Sequence, residues 1–298
     1  MKITLAMLTK KGACVEGLRW VRENLPDGAE YQDFLDRLAE ADKPDWASWL
    51  LESFGSLPGA VKIVREQPTA RHIFAAGALY LEVPISVAGR VQAGGGIQAR
   101  WGIQARGGIQ AGRGIEAGEG IEAGEGIKAG GGIQARKGIQ AGRGIQAGRG
   151  IQAGEGIKTR WGVKAGWGIQ AGEGIQAGEG IKTRWGVKAG WGIEAGEGIQ
   201  AGRGIQAGGG IQAGGGIEAC EGIQAGRGIQ AGGGIQAGWG IQAGFSIICK
   251  RNLSSGLRIF AGLCNWRLLS DTEQQINCQK LICGTIACGE LNETGTGK

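Results

Sequence analysis

The sequence predicts a mostly β fold: a parallel β-solenoid of hexapeptide repeats with a small N-terminal α-helical module. Three observations carry this. A branched aliphatic residue recurs at every sixth position through the middle of the chain. The 298 residues include 64 glycines and only 5 prolines. The N-terminal segment abandons both features for helical spacing.

Residues 1–58 read as the helical module. Thr4 is placed to cap a first helix. Cys14 to Leu25 carries Val15, Leu18 and Val21 at helical spacing, and Pro26-Asp27-Gly28 ends it. Tyr31 to Ala41 is amphipathic, and Trp46, Trp49, Leu50 and Phe54 form a further apolar face. Three or four helices fit. Residues 59–90 then turn strand-like, as a lead into the solenoid.

Residues 91–247 are the repeat, I-Q-A-G-x-G, in unbroken hexads from Val91 through Ile241 to Ile247. Its glycines fall at spacings of two and four, which excludes the every-third-residue glycine of collagen. A disordered linker would not hold an aliphatic residue in strict register. On a strand, Ile97 and Ala99 face one way and Gln98 the other. G-x-G then turns the chain, with glycine supplying positive φ and x an exposed corner. One unit buries too little to stand alone, so the coils must stack. Two coil sizes remain open. Triangular 18-residue coils, three hexads each, suit one large and one small inward residue per hexad. Two-sided 12-residue coils, two hexads each, suit a duplication in which Ile157–Trp167 recurs four hexads later as Ile181–Trp191. With three hexads per coil, Lys164 would stack on Lys182, and Arg149, Trp167, Trp185 and Arg203 would form one column. Residues 248–298 read as degenerate coils and a C-terminal cap.

The I/V-x-small repeat from about His72 to Ala261 resembles hexapeptide-repeat parallel β-helix proteins, and looks most like the bactofilin type. That resemblance implies a prism and self-association through its ends, although here both ends carry non-repeat sequence. The flanks are similar to uncharacterised proteins of bacteria and their prophages. The related acyltransferases place a small residue four after the aliphatic one and use a histidine on the prism. Here Ala follows by two and the single histidine, His72, precedes the repeats.

Function is therefore expected from a surface, not from a catalytic centre. The protein is expected to be a non-enzymatic structural or scaffold protein, with no cofactor or metal site. His72 reads as structural, at the start of a strand. Cys249, Cys264, Cys278, Cys283 and Cys288 lack zinc-site spacing and read as small buried hydrophobes. The candidate surface is the duplicated set Lys158, Arg160, Trp161, Lys164 and Trp167 with Lys182, Arg184, Trp185, Lys188 and Trp191. Tryptophans among cations suit a protein partner or self-association. They also suit a polyanion, with bases on the rings and cations on phosphates. Glu116, Glu119, Glu122 and Glu125 oppose the nucleic-acid alternative. No membrane span or signal peptide is read, and a cytoplasmic location is expected. The net charge of +6 and pI near 9.0 decide nothing by themselves.

Overall fold

A computed structural model describes residues 1–264 and 268–295. The predicted C-terminal segment therefore includes positions 265–267 and 296–298 that lie outside the described residues. The chain forms two compact units, Met1–Gln134 and Ala135–Lys298.

The first unit opens with four helices: α1 (Leu5–Lys10), α2 (Val15–Asn24), α3 (Tyr31–Glu40) and α4 (Pro44–Phe54). Thr4 caps α1, its hydroxyl accepting from the Met7 N–H. Tyr31, Phe34, Leu35, Leu38 and Leu50 are buried between the helices. Tyr31 shares its hydroxyl proton between the carbonyls of Leu50 and Gly55, tying α3 to the end of α4. Burial holds its phenol well above the ordinary tyrosine range.

The helices cover the strand Ile73–Ala75 at the start of the solenoid. Phe74 and Ala76 belong to the same apolar cluster as the helical core. The Gln32 side chain substitutes for a neighbouring strand: its Nε2 donates to the Phe74 carbonyl at 2.9 Å, and its Oε1 accepts from the Ala76 N–H at 3.0 Å. An edge that would otherwise invite pairing is thereby closed. Gln92 sits at the outward position of its repeat yet is buried, because Ser48 of α4 donates to its Oε1 at 2.6 Å.

Beyond the helices, three-residue strands start once per hexad, and each pairs in parallel with the strand three hexads away. Within the first unit, Ile73, Val91, Ile109 and Ile127 align on one face. Within the second unit, Ile145, Val163, Ile181 and Ile199 do so. The coil is thus the triangular one of three hexads, and the two-sided coil is excluded. Three inward Ile–Ala columns form the core; Ile157, Ile175 and Ile193 are each 1% exposed. Each contributes about 1.5–3 kcal/mol of burial.

The corners correct one expectation. No repeat glycine takes positive φ; glycines that do, such as Gly28 and Gly262, lie outside the repeats. Glycine starts most corners for another reason, although Arg100, Arg106, Arg136, Arg160, Arg184 and Cys220 take that position in others. A Cβ on Gly178 would overlap the carbonyl oxygen of Arg160 one coil before, and one on Gly166 would overlap that of Gly148. The constraint is close backbone approach, not handedness. The predicted C-terminal segment is itself built of parallel strands. Asn252–Phe260 follows Ile235–Ala237 and carries Lys280–Cys288, while Gln275–Cys278 carries Glu290–Glu293.

Candidate functional site

Each coil of the second unit shows three faces and three corners, and the three-hexad period assigns every candidate residue to one of them. One face is built of the strands Ile145–Ala147, Val163–Ala165, Ile181–Thr183 and Ile199–Ala201. Its outward residues are Gln146, Lys164, Lys182 and Gln200, each paired with the next. Lys164 and Lys182 are direct neighbours in a parallel ladder, like charges about 4.8 Å apart at the backbone.

Arg149, Trp167, Trp185 and Arg203 make the corner that follows this face. They form a single stack. The two indoles lie 5.6 Å apart and 11° from parallel. The Arg149 guanidinium caps Trp167 at 5.8 Å and Arg203 caps Trp185 at 4.4 Å. The corner that precedes the face holds Arg143 over Trp161 at 5.9 Å, with Arg160 beside it. All these side chains are exposed. Among the described residues, none of the cations has a carboxylate within ion-pair distance.

Two of these corners are locally rebuilt. Arg160 and Arg184 stand where a glycine normally passes close to the coil before, and in both cases the preceding residue is Thr instead of Ala. The Trp161 N–H donates to Thr159 Oγ1 at 3.1 Å, and the Thr159 hydroxyl donates to the Arg143 carbonyl. The Trp185 N–H donates to Thr183 Oγ1 at 3.0 Å, and that hydroxyl donates to the Trp167 carbonyl. An ordinary corner joins the two backbones directly, as the Trp191 N–H does to the Glu173 carbonyl at 3.2 Å. The buried hydroxyl is inserted into that bond.

Of the ten sequence-predicted residues, Arg160, Trp161, Lys164, Trp167, Lys182, Arg184 and Trp185 come together on this face and its corners. Lys158, Lys188 and Trp191 do not. Lys158 pairs with Gln140 and Gln176 on a second face, and Lys188 with Gln170 and Gln206 on the third. Trp191 stands at the corner between those two, above Glu173. The reason is arithmetic: a block copied four hexads on, in a coil of three, turns its second copy onto the next face. Arg143, Arg149 and Arg203 join the site from outside the duplicated block. Their signal in the sequence is the three-hexad register, which already brings Arg149 and Arg203 into the tryptophan column. The faces of the Trp167 and Trp185 rings are already taken, by each other and by Arg149 and Arg203.

The remaining candidates separate. His72 is 7% exposed and fully engaged. Its Nδ1 accepts from the Arg90 N–H at 2.9 Å, which leaves the proton on Nε2 to donate to Asp42 at 2.8 Å. That bond, with the nearby Arg71, holds the Asp42 carboxyl below its usual range. Of the C-terminal cysteines, Cys249 and Cys278 are buried, but Cys283 is exposed and Cys264 and Cys288 are half-buried. The expectation of buried thiols thus fails for those three. Burial, with Cys278 nearby, pushes the Cys249 thiol up to about 11. Among the described residues no cluster of His, Cys, Asp and Glu could hold a metal ion, and no helix is long and apolar enough to cross a membrane.

Residues 1–56, the four helices, match the family described as the YdhT N-terminal domain. No curated protein and no solved structure matches the chain.

Proposed function

We propose that the protein is a non-enzymatic scaffold that holds another macromolecule against the cationic face of its second unit. The observation that supports this is the Lys164–Lys182 pair. Like charges directly opposite one another destabilise a sheet, whereas the Gln ladder of the other repeats does not. A bound anionic group between the two ammonium groups removes the penalty. Pulldown with the full chain tests the reading. A partner retained by the native chain and lost on Lys164→Gln/Lys182→Gln/Arg184→Gln supports it; capture unchanged by the triple variant refutes it.

Self-association is the second reading. Among the described residues, the strand Lys280–Cys288 is paired on one side alone, and Ile282 within it is 54% exposed. Such an edge favours pairing with another chain. The likeness of the repeat to bactofilin-type solenoids agrees. Light scattering after size exclusion, with negative-stain microscopy of the same fractions, decides: filaments or discrete multimers support it, and a strict monomer rejects it.

A further inference from the structure

We infer that the cationic face binds double-stranded nucleic acid through its phosphate backbone, without reading bases. This rests on the scaffold reading above and names its cargo. Arg143, Arg149, Arg160, Lys164, Lys182, Arg184 and Arg203 lie on one face and its two corners. From Arg149 to Arg203 is three coil steps, about 14 Å. From Trp161 to Trp167 the face is at most about 20 Å wide. Duplex DNA carries one charge per about 1.7 Å of axis with both strands counted, so a length equal to that height holds about eight phosphate charges, about four of them on each strand. Five of the cations are arginines, whose fork matches a phosphate edge.

Two features favour a duplex over other anions. The stack Arg149–Trp167–Trp185–Arg203 leaves no ring face for an unpaired base, so the affinity that single strands draw from stacking is denied at this corner. The tryptophans act instead as spacers that hold two guanidinium groups at fixed heights. Three-residue strands and tight corners make the face rigid and flat. It cannot wrap a flexible acidic peptide, which would lose conformational entropy on ordering, whereas a stiff duplex loses little. Glu179 and Glu197 occupy the coils above Trp161, and Glu218 follows Gln200 on the face. On that corner, beside Lys182 and Gln200, they leave Arg143 and Arg160 as its cations, so the footprint runs from these across the lysines to the Arg149–Arg203 stack. Glu116, Glu119, Glu122 and Glu125 belong to the other unit.

Fluorescence anisotropy of the full chain with a labelled duplex tests this. The expected result is binding that weakens linearly in log–log salt. In Lys164→Gln/Lys182→Gln the slope falls by about 2, one per lysine. The double variant should melt no lower than the native chain, so its loss of affinity is not unfolding. Lys188→Gln, on the third face and outside the footprint, should leave affinity within about twofold. Tighter binding to a single strand of the same sequence overturns the inference, as does displacement of the duplex by polyglutamate at matched charge, which assigns the face to an acidic protein. No duplex binding alongside a pulldown partner that depends on the lysines sinks the cargo and leaves the scaffold standing. Failure of both removes both.

Discussion

Lys164 and Lys182 show how much a single register position decides. Had either been Gln, the ladder would be neutral there, as it is at Gln146 and Gln200. Lys182→Gln is therefore expected to raise stability by up to about 1 kcal/mol at low ionic strength, with the gain vanishing in high salt. Thermal melts across a salt series check this, and an unchanged or lowered melting temperature at low salt would contradict it. Asp42 makes a second residue-scale case. It joins the α3–α4 turn to His72, at a φ of 54° that Asn also tolerates. Its carboxyl titrates below the ordinary value of 3.8 in the folded chain. The folded state thus favours the ionised form. That contribution is complete above the unfolded value and is lost as pH falls through the lower folded one. Asp42→Asn should flatten the acid limb of the stability profile below about pH 4 and leave its slope at neutral pH unaltered. An acid limb as steep as that of the native chain would show that Asp42 is not the group responsible.

At the scale of the element, the unit is the corner. Gly178→Ala drives a Cβ into the Arg160 carbonyl and should destabilise by more than about 1 kcal/mol. In Gly215→Ala the nearest atom is the Glu197 carbonyl carbon at 3.3 Å, and it should be nearly neutral; the repeats place Trp, Arg or Glu at that position elsewhere. Urea titrations of the two variants discriminate, and equal losses would mean that close approach is not the constraint. Thr183→Val keeps the shape of the rebuilt corner but deprives the Trp185 N–H and the Trp167 carbonyl of their shared partner. It should cost about 1–3 kcal/mol by the same measurement, and a cost near zero would show that the hydroxyl bridge is dispensable. Strand and face were legible in the sequence because a branched aliphatic residue and a small residue recur at the two inward positions of every hexad, Val163 and Thr159 included. The choice of coil was legible only in part, since the duplicated block argued for two hexads and the inward residues for three. The Arg149–Arg203 column followed once three hexads per coil were assumed. The reason for glycine was not legible, because a clash with another coil leaves no mark on local sequence. Nor was the Thr bridge, since nothing beside Thr159 or Thr183 in the sequence names a partner carbonyl one coil away. Gln92 looks like every other Gln of the repeats, and nothing local says that α4 covers it.

For the whole molecule, the repeats make faces nearly interchangeable, so position around the axis is set by counting. Removing residues 169–174 should leave the second unit folded, because every downstream strand meets an equivalent neighbour one face on. A melting temperature within a few degrees of the native value is expected, and loss of the cooperative transition would show that the faces are not equivalent. In that shortened chain the two copies of the duplicated block stand one full coil apart. Trp161 then lies under the former Trp185, and Lys158 under the former Lys182. In the native chain the two spacings behave like a vernier: one scale is ruled in steps of four hexads, the other in steps of three, and the marks coincide at a single place. A block copied in phase with the coil would have doubled each side chain on its own face. Copied out of phase, it brings the rear of one copy and the front of the next onto common ground. The face that neither copy contains alone is a product of the mismatch. Any later gain or loss of one hexad would move or dissolve that face without disturbing the core.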